Sequence, residues 1–121
     1  MSKNIFDGFD FEEYAALLQS AADDGLHIVH NFDQDYPMGG FSFVWARESE
    51  FKKARMIRVA VAFCSPKDQF CRKIGSYHAL VNWYSGNSIA LPVGDEDSAV
   101  IVYRLRKLFS KAEYSRIDPF F

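Results

Sequence analysis

The run Arg55–Cys64 constrains this chain more than any other. Ile57, Val59, Val61 and Phe63 alternate there with Arg58, Ala60 and Ala62, and a period of two places the large apolar side chains on one face of a β-strand. Two further segments read as its neighbours. Leu26–Phe32 alternates and is rich in branched residues, and Phe41–Arg47 resumes after a loop, Asp33–Gly40, dense in Asp, Pro and Gly. Glu48–Ala54 is charged and turn-like. Three strands with such connections form an antiparallel meander.

Helices are announced by their ends. Asp10 and Glu13 form a capping box, followed by the apolar stripe Phe11, Tyr14, Ala15, Leu17, Leu18 and Ala22, and Asp23-Asp24-Gly25 supplies a left-handed exit. Ser65-Pro66-Lys67-Asp68 combines an N-cap serine, a proline suited to the first helical position and an acid three residues after the cap. These signals predict a helix over Pro66–Tyr84 that buries Phe70, Ile74, Tyr77 or His78, Val81 and Tyr84. Gly75 inside it costs about 1 kcal/mol relative to alanine and marks close packing.

Ser88–Val93 is expected to be a short edge strand, because Pro92 lacks the N–H that a central position requires. The segment Ala99–Tyr103 has strand composition. The acids Asp95, Glu96 and Asp97 before it, the bases Arg104, Arg106, Lys107 and Lys111 after it, and Leu105, Leu108, Phe109 and Ala112 at helical spacing favour a helix. The fold expected is α+β: a three- or four-stranded, mainly antiparallel sheet packed against two or three helices. With 121 residues and no repeat or low-complexity tract, residues 1–121 are read as one domain.

Hydrophobic residues make up 49% and charged residues 25%, which places the chain among folded domains rather than disordered ones. Aromatic residues make up 17%, more than a core of this size needs, so some rings are expected at the surface. No stretch approaches the ~18 apolar residues of a membrane span, and Met1-Ser2-Lys3-Asn4 leads into no apolar run. No membrane partner is expected. Cys64 and Cys71 are too few for a disulfide framework, and a reducing cytoplasm is the expected compartment.

Candidate chemistry is sparse. His27 and His30 would point to opposite faces of a strand and so cannot share a metal, and His78 reads as a packed or surface imidazole. Cys64, at a strand end before a helix N-terminus, stands where a dipole would favour a thiolate. Position 70, where a phosphatase-type loop would need an arginine, is Phe70, and a structural thiol is the better reading. Asp33 and Asp35 read as a solvated loop and Asp95–Asp97 as a helix cap. No phosphate-binding, dinucleotide-binding, serine-elbow or paired-cysteine zinc pattern occurs. No catalytic residue, cofactor or metal is assigned.

Surface character carries the rest. Residues 1–50 hold ten acids against Lys3 and Arg47, whereas residues 51–121 hold twelve bases against six acids, so net charges of about −8 and +6 share one chain. The bases Lys52, Lys53, Arg55 and Arg58, then Lys67, Arg72 and Lys73, then Arg104, Arg106, Lys107 and Lys111 are interleaved with Tyr77, Trp83, Tyr103 and Phe109. Cations with stacking rings suit single-stranded nucleic acid; equally, the bases can pair with the acidic half. The same inventory suits protein recognition, where aromatic residues and arginines are the usual anchors.

The segment from Ile57 through Cys64-Ser65-Pro66-Lys67-Asp68-Gln69-Phe70-Cys71-Arg72-Lys73-Ile74-Gly75 resembles a run in small phage- and prophage-encoded proteins of unassigned function. In them an aliphatic strand ends in Cys-x-Pro-x-Asp-x-Phe and continues as a basic helix through Lys-x-Gly. Ser76-Tyr77-His78-Ala79 departs from the arginine and further basic stretch that often follow there. The resemblance implies a phage-encoded, non-enzymatic protein that binds and inhibits or redirects a host protein complex, including restriction or CRISPR defences. The anchors expected for such a partner are Trp83, Tyr84 and Phe121 with Arg72 and Lys73. The alternative is a single-stranded nucleic-acid binder using Lys52, Lys53, Arg55, Arg58, Arg104, Arg106 and Lys107. A homodimer is compatible with either.

Overall fold

The structure, a computed structural model, describes residues 8–36, 38–48 and 56–115. Three helices, α1 (Phe11–Asp23), α2 (Arg72–Tyr84) and α3 (Ser98–Ser115), accompany four strands, β1 (His27–Asn31), β2 (Phe41–Glu48), β3 (Met56–Phe63) and β4 (Ile89–Pro92). The strands lie in the order β1-β2-β3-β4, every neighbouring pair antiparallel. The fold is α+β, with helices on both faces of the sheet.

The two faces are packed differently, and side-chain size is the reason. Phe41, Phe43 and Trp45 of β2 and Ile57, Val59 and Val61 of β3 turn the large side chains toward Ile101, Leu105 and Phe109 of α3. Each such residue contributes roughly 1.5–3 kcal/mol when fully buried. The opposite face offers Val44 and Ala62 to Ala79 and Leu80 of α2 and Ala21 of α1. Here the residues are small and the layers close. A Cβ added to Gly75 would collide with the Ser42 hydroxyl, and its next neighbour, Ser42 Cβ, would lie at 3.1 Å. The close packing expected of Gly75 is therefore present.

Helix α1 starts as its sequence predicts, the Glu13 N–H donating to the Asp10 carboxylate at 3.0 Å, and leaves through Gly25 at φ +69°. The carboxylate of Glu13 turns outward and accepts from Tyr77 Oη at 3.0 Å, while Asp24 accepts from Tyr84 Oη at 2.6 Å. These two bonds fasten α1 onto α2. The apolar stripe expected on α1 lies differently: Ala21 is buried and Leu17 packs beside it, but Phe11, Ala15, Leu18 and Ala22 are exposed.

Helix α2 begins at Arg72 rather than Pro66, with Cys71 at the N-cap. The Asp68 carbonyl accepts from the Gly39 N–H, and Gln69 bridges to Met38, so the backbone that would close the first helical turns is used by the β1–β2 loop instead. Ser65 closes only a local turn, accepting from Asp68 N and, through its hydroxyl, from Lys67 N. The buried face is Ser76, Ala79 and Leu80, with Trp83 packed beside it; His78 and Tyr84 are exposed. The stripe shifts because a helix pressed onto a small-residue sheet face needs small residues at the contact, and only Gly75, Ser76 and Ala79 supply them.

Strand β4 lies at the sheet edge, as Pro92 requires. The ambiguous segment after it is helical: Asp97 caps α3 by accepting from Val100 N at 3.0 Å through its side chain, and the sequence that looked like a strand is its first turns. Among the described residues no helix is long and apolar enough to cross a membrane.

Candidate functional site

The sheet has two edges, and they differ. Cys64 N donates to the Gly40 carbonyl at 2.9 Å, which sets the alternation of the ladder: even-numbered residues of β2 bond to β3, and Phe41, Phe43 and Trp45 bond to β1. Their partners are Asn31, Val29 and His27. Ile28 and His30, between these, direct N–H and C=O away from the sheet. The Arg106 guanidinium, donating to the His30 carbonyl at 3.0 Å, meets that outward group. Along the outer edge of β1 the Ile28 N–H, the Ile28 carbonyl and the His30 N–H have no partner among the described residues. At β4 the same alternation turns Ala90 and Pro92 outward, and proline offers no N–H.

Open space borders β1 from His27 to His30. A hollow of about 610 Å³ lies between β1 and the start of α3, lined by Leu26, His27, Ile28, Val29, Trp45, Ser98, Ala99 and Val102. His27 stacks on Trp45 with ring centroids 4.6 Å apart, and the buried Trp45 indole N–H has no acceptor among the described residues. A second hollow of about 450 Å³ continues past Ile28, Val29 and Val102 to His30, Phe32, Gln34, Arg72 and Arg106. One end of the groove is thus apolar and the other cationic.

The cationic end is assembled from three elements. Arg106 of α3 holds the His30 carbonyl and the Asn31 side chain, Oδ1 accepting at 2.9 Å. Arg72, in the first turn of α2, sets its guanidinium 5.3 Å from the centroid of Phe32, which stacks on Phe70 at 4.6 Å. Gly40 makes this approach feasible, since a Cβ there would meet the Asn31 carbonyl at 2.7 Å and Phe32 Cβ at 2.9 Å. Neither arginine has an acidic partner among the described residues. A cation in the first turn of a helix opposes the helix dipole, so the contact with Phe32, and not the stability of α2 itself, accounts for Arg72 within the chain.

His30 sits below this end, and its two nitrogens are occupied. Nδ1 lies 2.7 Å from Ser42 Oγ and Nε2 3.3 Å from Ser76 Oγ, so one ring nitrogen donates to a hydroxyl and the other accepts from one. Both serines are buried. Burial first, and then the charges of Arg72 and Arg106, hold the His30 pKa below its ordinary 6.5. The imidazole is a neutral clamp joining β1, β2 and α2. Because the unfolded chain takes up a proton near pH 6.5 that folded His30 refuses, stability is full above that value and falls as the pH drops through it toward the folded pKa. The thermal midpoint is expected to fall between about pH 7.5 and about pH 5, and His30→Asn to flatten that fall; equal slopes in the two chains would contradict it.

The residues singled out from sequence are scattered. Arg72 lies in the groove. Lys73 points the other way, its ammonium 6.0 Å from the Phe11 ring on α1. Trp83 packs in the small-residue layer and Tyr84 is bonded to Asp24; they stand eleven and twelve residues along α2 from Arg72, roughly 16–18 Å. Burial and the bond to Asp24 push the Tyr84 pKa up to about 12. Of the basic set, Arg58 pairs with Glu48 at 2.8 Å, Arg104 pairs with Glu96 at 2.6 Å, Arg106 holds β1, and Lys107 lies 4.9 Å over Tyr103. Phe121, Lys52, Lys53 and Arg55 lie outside the described residues.

Cys64 does not precede a helix, because α2 starts eight residues later; its thiol lies 3.5–3.9 Å from the carbonyls of Ser65, Asp68 and Gln69. His27 and His30 face opposite sides, stacked on Trp45 and bonded to Ser42 respectively. Asp33 caps a local turn at Asp35 N. Among the described residues no three His, Cys, Asp or Glu side chains gather as metal ligands would. Ile28, His30, Phe32, Gln34 and Val102 were missed as site residues. A signal existed: Leu26–Phe32 carries no Pro, Lys or acid to guard an edge. Comparison with protein-family models, curated proteins and solved structures finds no match to this chain.

Proposed function

We propose that this chain is a non-enzymatic binding domain that takes an extended segment of a partner protein along the outer edge of β1. The observation that carries the reading is the asymmetry of the sheet: Pro92 removes an outward N–H from the β4 edge, whereas β1 presents backbone groups unpaired among the described residues beside two hollows. Strand addition draws affinity from main-chain hydrogen bonds and selectivity from flanking pockets, and the edge has both. With the resemblance of residues 57–75 to small phage proteins, the partner is a component of a bacterial host complex that the domain inhibits or redirects.

The test is capture from nuclease-treated bacterial lysate by the intact chain and by Ile28→Pro, which removes an outward N–H without breaking a bond to β2. A stoichiometric protein held by the first and lost from the second is expected. Equal capture by both would remove β1 as the contact.

A second reading, single-stranded nucleic acid, is favoured by one observation: Lys107 over the exposed ring of Tyr103 on α3 joins a cation to a stacking surface. It requires oligonucleotide binding that falls steeply with salt. Binding absent at low salt would dispose of it.

A further inference from the structure

The groove has a polarity along its length, and that polarity describes its occupant. Resting on the strand-addition reading, we infer that β1 receives an extended peptide segment that is apolar where it passes Trp45 and Ala99 and carries a carboxylate where it reaches Arg72 and Arg106.

A strand added beside β1 would bond to the Ile28 N–H and carbonyl and to the His30 N–H, the groups the ladder turns outward. Over the first of these it lies against the apolar hollow, where Ala99 and Val102 leave room for branched or aromatic side chains. Past His30 it enters the hollow between the two arginines. Arg106 projects from α3 and Arg72 from α2, so the charges flank the added strand from both faces of the sheet. Neither has an acid among the described residues, and, after burial, their charges are what holds the His30 pKa down. A planar guanidinium binds a carboxylate through paired hydrogen bonds, and among the described residues no carboxylate pairs with either one. It can be an Asp or Glu side chain or the end of a chain; the chemistry is the same.

A second copy of this chain is a poorer occupant. Antiparallel pairing of two β1 strands about Val29 or Ile28 carries Asp33 and Asp35 of one copy toward Asp23 and Asp24 of the other, setting like charges together at both ends.

The experiment is selection of displayed random peptides of about twelve residues against the intact chain, followed by synthesis of the enriched peptides with free and amidated C-termini. Expected is a short branched or aromatic run with Asp or Glu at one end, or a run that ends the peptide. Binding is then about tenfold or more weaker when the acid becomes its amide or when Arg72→Gln is used. Loss on amidation of the C-terminus alone assigns the carboxylate to a chain end. Ala99→Trp, at an exposed α3 position, fills the apolar hollow without changing a residue of the sheet and is expected to abolish binding, as is Ile28→Pro. If those two variants abolish binding while the acid proves dispensable, the charge inference fails and strand addition stands. If enriched peptides bind the two variants as well as the parent, or nothing enriches, both fail. Enrichment of the chain's own β1 sequence, or self-association lost in Ile28→Pro, would put a second copy in the groove and overturn the inference.

Discussion

Phe109→Ala is expected to destabilise the protein by about 3–5 kcal/mol, the range for deleting a buried phenylalanine. Phe109 is the last of the three buried residues, with Ile101 and Leu105, that seat α3 on the sheet. Its ring meets Phe43 at 5.5 Å, Phe41 at 5.9 Å and Phe63 at 6.3 Å, so truncation opens a cavity bounded by three rings that cannot collapse into it without leaving their strands. Leu108→Ala, one residue away and exposed, is expected to change stability by less than about 0.5 kcal/mol. Urea unfolding of the pair measures the difference; a loss below about 1 kcal/mol in Phe109→Ala would show that α3 is held by something other than this face. The same loosening would displace Val102 and Arg106 and so degrade the groove along β1.

Gly75→Ala is the second large effect. In a solvent-facing helix the change would stabilise by about 1 kcal/mol, but here the new methyl is driven into Ser42, with Phe70 Cζ 3.5 Å away. Overpacking of this kind costs roughly 1–3 kcal/mol and outweighs the propensity gain, because Ser42 sits on a central strand and cannot retreat. Ser42→Ala alone is also expected to destabilise, by about 1 kcal/mol, through loss of its bond to His30. The double variant should cost less than the sum of the two, since removing the hydroxyl clears the nearest collision. Strict additivity in thermal or urea unfolding would show that the sheet and α2 separate rather than clash.

Much of the fold is legible without coordinates because its signals are local. The alternation Ile57-Val59-Val61-Phe63 marks both a strand and the face it buries, Asp97 ahead of an apolar-periodic run marks the start of α3, and Pro92 marks an edge. The start of α2 is not local. Ser65-Pro66-Lys67-Asp68 carries a complete helix-start signature, yet the Asp68 carbonyl and Gln69 are engaged by Gly39 and Met38 from a loop about thirty residues earlier. The buried face of α2 is likewise hidden, because hydrophobicity points to Ile74, Tyr77 and Val81 while the close approach to Ser42 demands Gly75, Ser76 and Ala79.

What the amino-acid order determines by itself, then, is the class of each segment and the sidedness of the strands, since both follow from dihedral preference and periodicity over a few residues. Which strand is left at the open edge, and which cations lie unneutralised beside it, depends on the order β1-β2-β3-β4 and on where α2 and α3 end up. Arg72, Arg106 and His30 are separated by 34 to 76 residues in the chain. Only packing on opposite faces of one sheet brings them to the same end of β1, because charge and shape complementarity between distant segments is a property of the assembled layers.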